Sequence, residues 1–72
     1  MPNLKLKAER ELKAVNQSEV AKYLGISPNT YWSKENGKTE FTISEAKKLA
    51  EYFGVSVMEL FFNNLDNNKL TM

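Results

Sequence analysis

The sequence predicts an all-α fold, a compact bundle of five helices in a chain of 72 residues. Apolar residues recur with the 3.6-residue period of helices, and the fullest stripe comprises Ile43, Ala46, Leu49, Ala50 and Phe53. Gly25, Gly37 and Gly54 each follow such a stretch, where glycine commonly ends a helix in the left-handed conformation. The predicted helices span about residues 4–14, 17–24, 28–36, 43–53 and 57–62.

Each of the first three helices has its own signal. The first is predicted from an apolar stripe that comprises Leu4, Ala8, Leu12 and Val15. The second begins after Asn16, because Glu19 three residues later completes a capping box. The third begins at Ser27-Pro28, since serine is a preferred N-cap and proline suits the first helical position.

The last two helices begin at better-matched capping boxes, formed by Thr42 with Glu45 and by Ser56 with Glu59. Residues 63–72 hold four Asn, one Asp and one Lys, a composition that predicts a polar, flexible tail. The sequence therefore predicts one domain over residues 1–62 and a C-terminal tail over residues 63–72.

Composition excludes several classes of function. The chain has no cysteine and no histidine, so it lacks thiolate ligands, the commonest metal ligand and the commonest general base. No cofactor motif is present, and we predict neither an enzyme nor a small-molecule substrate. The longest apolar run, Leu60-Phe61-Phe62, is too short to span a membrane. The formal net charge of +1 does not by itself indicate nucleic-acid binding.

The second and third helices are joined by Gly25-Ile26-Ser27, the short connection of a helix-turn-helix. Ala21 is small enough for close helix approach, Ile26 fills the corner, and Tyr31 returns to the core. Spacing favours a DNA-binding motif, but a helical hairpin without nucleic-acid function would show the same turn.

Three stretches resemble the Cro/repressor-type (XRE-like) helix-turn-helix family, over about residues 4–62. They are residues 16–27 (Asn-Gln-Ser-Glu-Val-Ala-Lys-Tyr-Leu-Gly-Ile-Ser), residues 30–46 with Glu-Asn-Gly-Lys and Phe-Thr-Ile-Ser-Glu-Ala, and residues 54–62. The resemblance implies a λ-repressor-like five-helix bundle and a short phage or prophage regulator. It further implies that the chain acts in the cytoplasm of a bacterial host.

The resemblance implies base contacts from the third helix, at Ser27, Pro28, Asn29, Trp32 and Ser33. Asn29 is the strongest candidate because its amide both donates and accepts, as in asparagine–adenine pairing. The competing interpretations are a solvated helix start for Asn29, a neutral surface serine for Ser33 and simple helix initiation for Pro28.

Phosphate contacts are implied for Asn16, Gln17, Lys34, Asn36, Lys38 and Thr39. Asn16 and Asn36 could instead only cap helices. Gln17 could instead be an ordinary polar residue at the start of a helix. Arg10 and Glu35 match a pair that the family joins as an internal salt bridge, so we expect a structural role for them.

Two hypotheses of function follow from the sequence. The first is a Cro-like transcriptional regulator that binds a double-stranded DNA operator as a homodimer, with dimer contacts near Phe61 and Phe62. The alternative is an antirepressor that binds a cognate repressor through the same surface, alone or on DNA. An exposed Trp32 beside Pro28 favours a protein partner, and the residues predicted to contact it are Pro28, Trp32, Phe61 and Phe62.

Overall fold

The computed structural model describes residues 2–61, which form five α-helices and no strand. The helices are α1 (Leu4–Leu12), α2 (Gln17–Leu24), α3 (Pro28–Glu35), α4 (Ile43–Phe53) and α5 (Val57–Phe61). The predicted all-α bundle is therefore confirmed. Phe62 and the predicted tail over residues 63–72 lie outside the described residues. None of the five helices has the length and hydropathy needed to cross a bilayer.

The helix starts follow the predicted capping pairs. In α2 and α4 the capping box is complete, because the Asn16 and Thr42 side chains accept from the N–H three residues on and the glutamate bonds back. Ser56 and Glu59 exchange the same two hydrogen bonds, at 3.0 and 3.1 Å. Local chemistry thus fixes where these three helices begin.

The end of α1 differs from the prediction, since the helix stops at Leu12 rather than at residue 14. Ala14 takes the left-handed conformation with φ of 56°, although it is not glycine. The Val15 N–H then donates to the Arg10 carbonyl, which closes the helix end. Because no glycine marks this position, the sequence gives no stop signal there.

The predicted buried face of α1 is also wrong. Leu4 and Leu12 are 62% and 77% exposed, whereas Leu6 is fully buried. The buried side of α1 comprises Leu6, Glu9 and Arg10. Because two of these three residues are charged, the spacing of apolar residues does not indicate this side. Likewise Ile43, placed in the stripe of α4, is 77% exposed.

The core is a single cluster in which every helix takes part. It comprises Leu6, Val20, Ala21, Leu24, Tyr31, Leu49, Ala50, Phe53 and Leu60. Ile26, predicted to fill the corner of the turn, packs against this cluster from its edge. Both α2 and α3 therefore pack against the core. The side of α3 that faces away from the core is exposed.

Candidate nucleic-acid interface

The turn between α2 and α3 fixes the angle at which α3 leaves the core. Gly25 ends α2 with φ of 78°, in the left-handed region that favours glycine. The Ile26 N–H donates to the Ala21 carbonyl at 3.0 Å, and Ala21 is fully buried. Ser27 then caps α3 by accepting from the Thr30 N–H at 3.1 Å. A small residue, a glycine and a cap together orient α3.

The two sides of α3 are chemically different. Tyr31 and Glu35 are buried, and the Tyr31 hydroxyl donates to Glu35 at 2.9 Å. On the other side Pro28 and Asn29 are exposed, and Trp32 is 44% exposed. This outer side could meet the edges of bases in a major groove, as the sequence predicts.

The other two candidates for base contact, Ser33 and Ser27, are less available to DNA. Ser33 is half-buried, and its carbonyl accepts from the Lys38 N–H at 2.8 Å. The Ser27 hydroxyl donates to Thr30 Oγ1 at 2.8 Å while it caps the helix. The five predicted residues thus extend along α3 from its N-cap to Ser33. All except Ser33 are exposed, and the Ser27 hydroxyl is already used in capping.

A buried polar network stands behind α3. Arg10 Nε lies 2.9 Å from Glu35 Oε2, and a second guanidinium nitrogen donates to the Val15 carbonyl at 3.1 Å. Glu35 also accepts from Gln17 Nε2 at 2.7 Å and from Tyr31. Burial acts to raise the pKa of Glu35, but these hydrogen bonds outweigh it and hold the pKa below its usual value.

Gln17 therefore has a role that the sequence did not reveal. One of the two N–H groups of its amide is engaged with Glu35, which leaves the other N–H and the carbonyl oxygen for other partners. Asn16 uses its side-chain oxygen to cap α2, which leaves its amide nitrogen for a phosphate. The predicted phosphate contacts at this helix start remain predictions.

A polar cleft lies between the start of α2 and the outer side of α3. Its lining residues are Lys7, Arg10, Asn16, Gln17, Ser18, Trp32, Glu35 and Asn36. Lys7 was not among the predicted site residues, although its position three residues before Arg10 places both on one side of α1. The cleft combines an exposed cation with amide and hydroxyl donors, the groups that bind phosphate oxygens.

The α3–α4 loop carries the other predicted phosphate contacts. Lys38 and Thr39 are exposed, and Lys38 Nζ lies 5.8 Å from the centre of the Trp32 ring. Asn36 ends α3, and its amide donates to the Trp32 carbonyl at 2.9 Å. Lys34 points away from this side and pairs with Glu45 at 3.0 Å. Lys38 and Thr39 are therefore the accessible pair.

A second, largely apolar groove lies along the α3–α4 loop and the start of α4. Ile43, Phe41 and Phe61 line it, with Phe41 and Phe61 in an edge-on arrangement at 5.5 Å. Phe61 is thus half-buried and only part of it could face a partner. Phe62, predicted to contact a partner with it, lies outside the described residues.

Residues 2–61 contain no cluster of three or more acidic, histidine or cysteine side chains that could hold an ion. The chemistry available at the outer side of α3 consists of hydrogen bonding, cation attraction and aromatic contact. Those are the interactions used by proteins that bind nucleic acid.

Comparison with known proteins agrees with this geometry. A family model described as helix-turn-helix matches residues 6–60. The transcriptional repressor RstR of the cryptic phage CTXphi of Vibrio cholerae is 37% identical over 62 residues, which are 86% of this chain and 53% of RstR. An uncharacterized HTH-type transcriptional regulator of Methanocaldococcus jannaschii is 39% identical over 57 residues, 79% of this chain and 86% of that protein.

This chain thus spans about half the length of RstR. No solved structure gives a significant match to it. Both relatives are named as regulators of transcription.

Proposed function

The chain belongs to the helix-turn-helix family, and from this premise we propose that it is a Cro-like phage or prophage transcriptional regulator. It binds a double-stranded DNA operator by laying the outer side of α3 in the major groove. Residues 1–62 form the DNA-binding domain, followed by the tail over residues 63–72. The protein acts in the cytoplasm of a bacterial host.

The division of α3 into a buried and an exposed side is the observation that carries this proposal. Asn29 and Trp32 project from the exposed side, while Tyr31 and Glu35 anchor the helix through the other side. An anchored helix with a free polar amide can hydrogen-bond to base edges without losing its orientation. A purely structural helical hairpin has no need of an exposed asparagine and tryptophan on one side of its second helix.

Candidate phosphate contacts lie at two places near α3. Lys38 and Thr39 are exposed beyond its C-terminal end, and a cleft with Lys7 and Asn16 is lined in part by Trp32. Cations and polar donors beside a helix in the major groove are the groups that contact the phosphate backbone. The net charge of +1 is small, so binding relies on where these cations lie rather than on overall attraction.

Operator binding is proposed to involve a homodimer, with half-sites about one helical turn apart, roughly 34–36 Å. The end of α5 at Phe61, together with Phe62, provides the dimer contact. This position is supported by the apolar groove at Phe61, which α4 borders with an exposed Ile43.

Fluorescence anisotropy on labelled DNA from the region upstream of the protein's own gene tests the proposal. The protein is titrated at near-physiological salt with excess nonspecific competitor, and its sedimentation is followed in parallel. We expect competitor-resistant binding to a two-fold site and two protomers per site. Equal affinity for the upstream DNA and for a scrambled duplex of the same length would refute it.

The exposed Trp32 favours a second function, that of an antirepressor that binds a cognate repressor. At 44% exposure on α3, beside Pro28, the indole provides the type of aromatic surface found at protein-binding hot spots. We expect Trp32→Ala to abolish the complex with the repressor in size-exclusion chromatography, with Leu12→Ala on α1 as an exposed apolar control. An unchanged complex with Trp32→Ala would exclude this function.

A further inference from the structure

Lys34 connects the end of α3 to the loop and helix that follow. Its ammonium nitrogen lies 3.0 Å from Glu45 Oε1 and 2.9 Å from the carbonyl oxygen of Glu40. The same nitrogen is 5.8 Å from the centre of the Phe41 ring. Only 13% of the Lys34 side chain is exposed. One cation thus contacts the end of the α3–α4 loop and the first turn of α4.

The partner of Lys34 is itself fixed. Glu45 Oε1 also accepts from the Thr42 N–H at 2.9 Å, as part of the capping box of α4. Burial acts to raise the pKa of Glu45, but the hydrogen bonds from Thr42 and Lys34 outweigh it and lower the pKa. The carboxylate is therefore charged at neutral pH and held by α4 as well as by Lys34.

The beginning of the loop is also held by α3. The Lys38 and Thr39 N–H groups both donate to the Ser33 carbonyl, at 2.8 and 3.4 Å. Gly37 allows this return with φ of 82°. The stretch from Lys38 to Glu40 is consequently tied at one end to Ser33 and at the other to Lys34.

We propose that Lys34 is a positioning residue, which holds residues 37–42 against the end of α3 so that Lys38 and Thr39 lie along the DNA backbone. Lys34 itself makes no phosphate contact. This assignment replaces the phosphate role that the resemblance implies for Lys34, and it rests on the proposed DNA-binding function. A phosphate contact would require its ammonium group to leave Glu45 and the Glu40 carbonyl.

The salt dependence of binding separates the two roles of a lysine. Each lysine that neutralises a phosphate contributes about 0.9 to the slope of log affinity against log salt concentration. Without a positioning lysine the loop is ordered only when DNA binds, so affinity falls. In the complex Lys38 still neutralises the same phosphate, the same number of counterions is released, and the slope is unaltered. Glu45→Gln also separates the two roles. Removing a negative charge near DNA would by itself strengthen binding, whereas loss of the Lys34–Glu45 link should weaken it.

The experiment compares Lys34→Met, Glu45→Gln and the matched control Lys38→Met on the same operator over a series of KCl concentrations. We expect Lys38→Met to flatten the slope by about 0.9. We expect Lys34→Met and Glu45→Gln each to raise Kd about tenfold with the parent's slope. The double variant should bind no more weakly than the weaker single, because both changes break one link.

Amide NMR spectra of the free protein give a readout that does not depend on DNA. Lys34→Met and Glu45→Gln should shift the same signals throughout residues 37–42, whereas Lys38→Met should shift residues 37–39 and leave residues 40–42 in place. A flattened slope for Lys34→Met with parental or tighter binding by Glu45→Gln would overturn the proposal. If the parent binds no DNA, the proposed function fails by itself. Parental signals over residues 37–42 in Lys34→Met would then overturn the positioning role independently.

Discussion

Arg10 and Glu35 join α1 to α3 across 25 positions of sequence, with Nε and Oε2 2.9 Å apart and both side chains largely buried. Gln17 and Tyr31 complete the shell of donors around the carboxylate. The pair therefore ties the start of α2 and the C-terminal half of α3 to the first helix. Its cost in desolvation makes it a determinant of helix orientation rather than a large net source of stability.

Removing one member of this pair should destabilise the domain more than removing both charges. Arg10→Met leaves Glu35 as a buried charge without its partner, and Glu35→Gln does the same to Arg10. Each change should lower the free energy of unfolding by about 3–5 kcal/mol. The double variant keeps an acceptor for Tyr31 and Gln17 without either charge, so its free energy of unfolding should lie nearer the parent's.

Urea unfolding followed by circular dichroism measures this cycle. An osmolyte at one concentration in all four samples keeps the single variants folded. Additive losses, with the double variant less stable than either single, would contradict the prediction.

The lowered pKa of Glu35 predicts that the domain loses stability in acid. The pKa of Glu35 is lower in the folded protein than the ordinary value of 4.5, so the unfolded chain takes up its proton first as the pH falls. The contribution of Glu35 is complete above about pH 4.5 and disappears as the pH drops through the folded pKa. Glu9 and Glu45, whose pKa values are also lowered, add to the same decline.

Unfolding free energies measured from pH 7 to pH 3, with the same osmolyte at one concentration in both proteins, test this dependence. We expect a plateau above about pH 4.5 and a fall below it, with a shallower fall in Glu35→Gln because one coupled proton is gone. Parallel curves for the parent and Glu35→Gln would mean that Glu35 is not coupled to folding.

The close approach of α2 and α3 predicts a strong effect of size at Ala21. This residue is fully buried, and Ala21→Leu forces extra atoms into a packed core at a cost of about 1–3 kcal/mol. Domains of this size hold only about 3–5 kcal/mol of stability, so a large part of it should be lost. Ala8→Leu, at an exposed position of α1, is the size-matched control. Thermal melts by circular dichroism should separate the two variants, and equal melting temperatures would disprove the close approach.

Much of the fold could be predicted because its signals are local. A capping box needs only a polar residue and a glutamate three positions later, and Thr42 with Glu45 behaves as that rule requires. The buried side of α1 could not be found in this way. Its Arg10 is buried because of Glu35, a residue 25 positions away, and nothing in the spacing of α1 records that partner.

In the candidate site, too, contacts between residues far apart in the sequence could not be predicted. The exposed position of Asn29 follows from the helix start at Ser27-Pro28 and the inward position of Tyr31. The engagement of Gln17 with Glu35 and of Lys34 with Glu45 depends on how separate helices pack. A search along the chain therefore finds candidate polar residues but cannot tell which of them already have a partner.

Asn29 provides the sharpest test of base recognition. It is exposed in the first turn of α3, so Asn29→Ala should leave the free energy of unfolding nearly unchanged. Loss of an amide that donates and accepts should weaken operator binding by about 1–3 kcal/mol and relax the preference at one base position. Because asparagine is uncharged, the slope of affinity against salt should stay that of the parent.

A panel of operators substituted at each position, titrated with the parent, Asn29→Ala and Lys38→Met, measures this difference. Lys38→Met should weaken binding to every operator by a similar factor, since a phosphate contact carries no sequence information. Asn29→Ala should instead equalise the affinities for the four bases at one position of each half-site. If Asn29→Ala keeps the parent's preference at every position, recognition lies with other residues of α3, and Trp32 is then the first to substitute because it is the largest exposed side chain there.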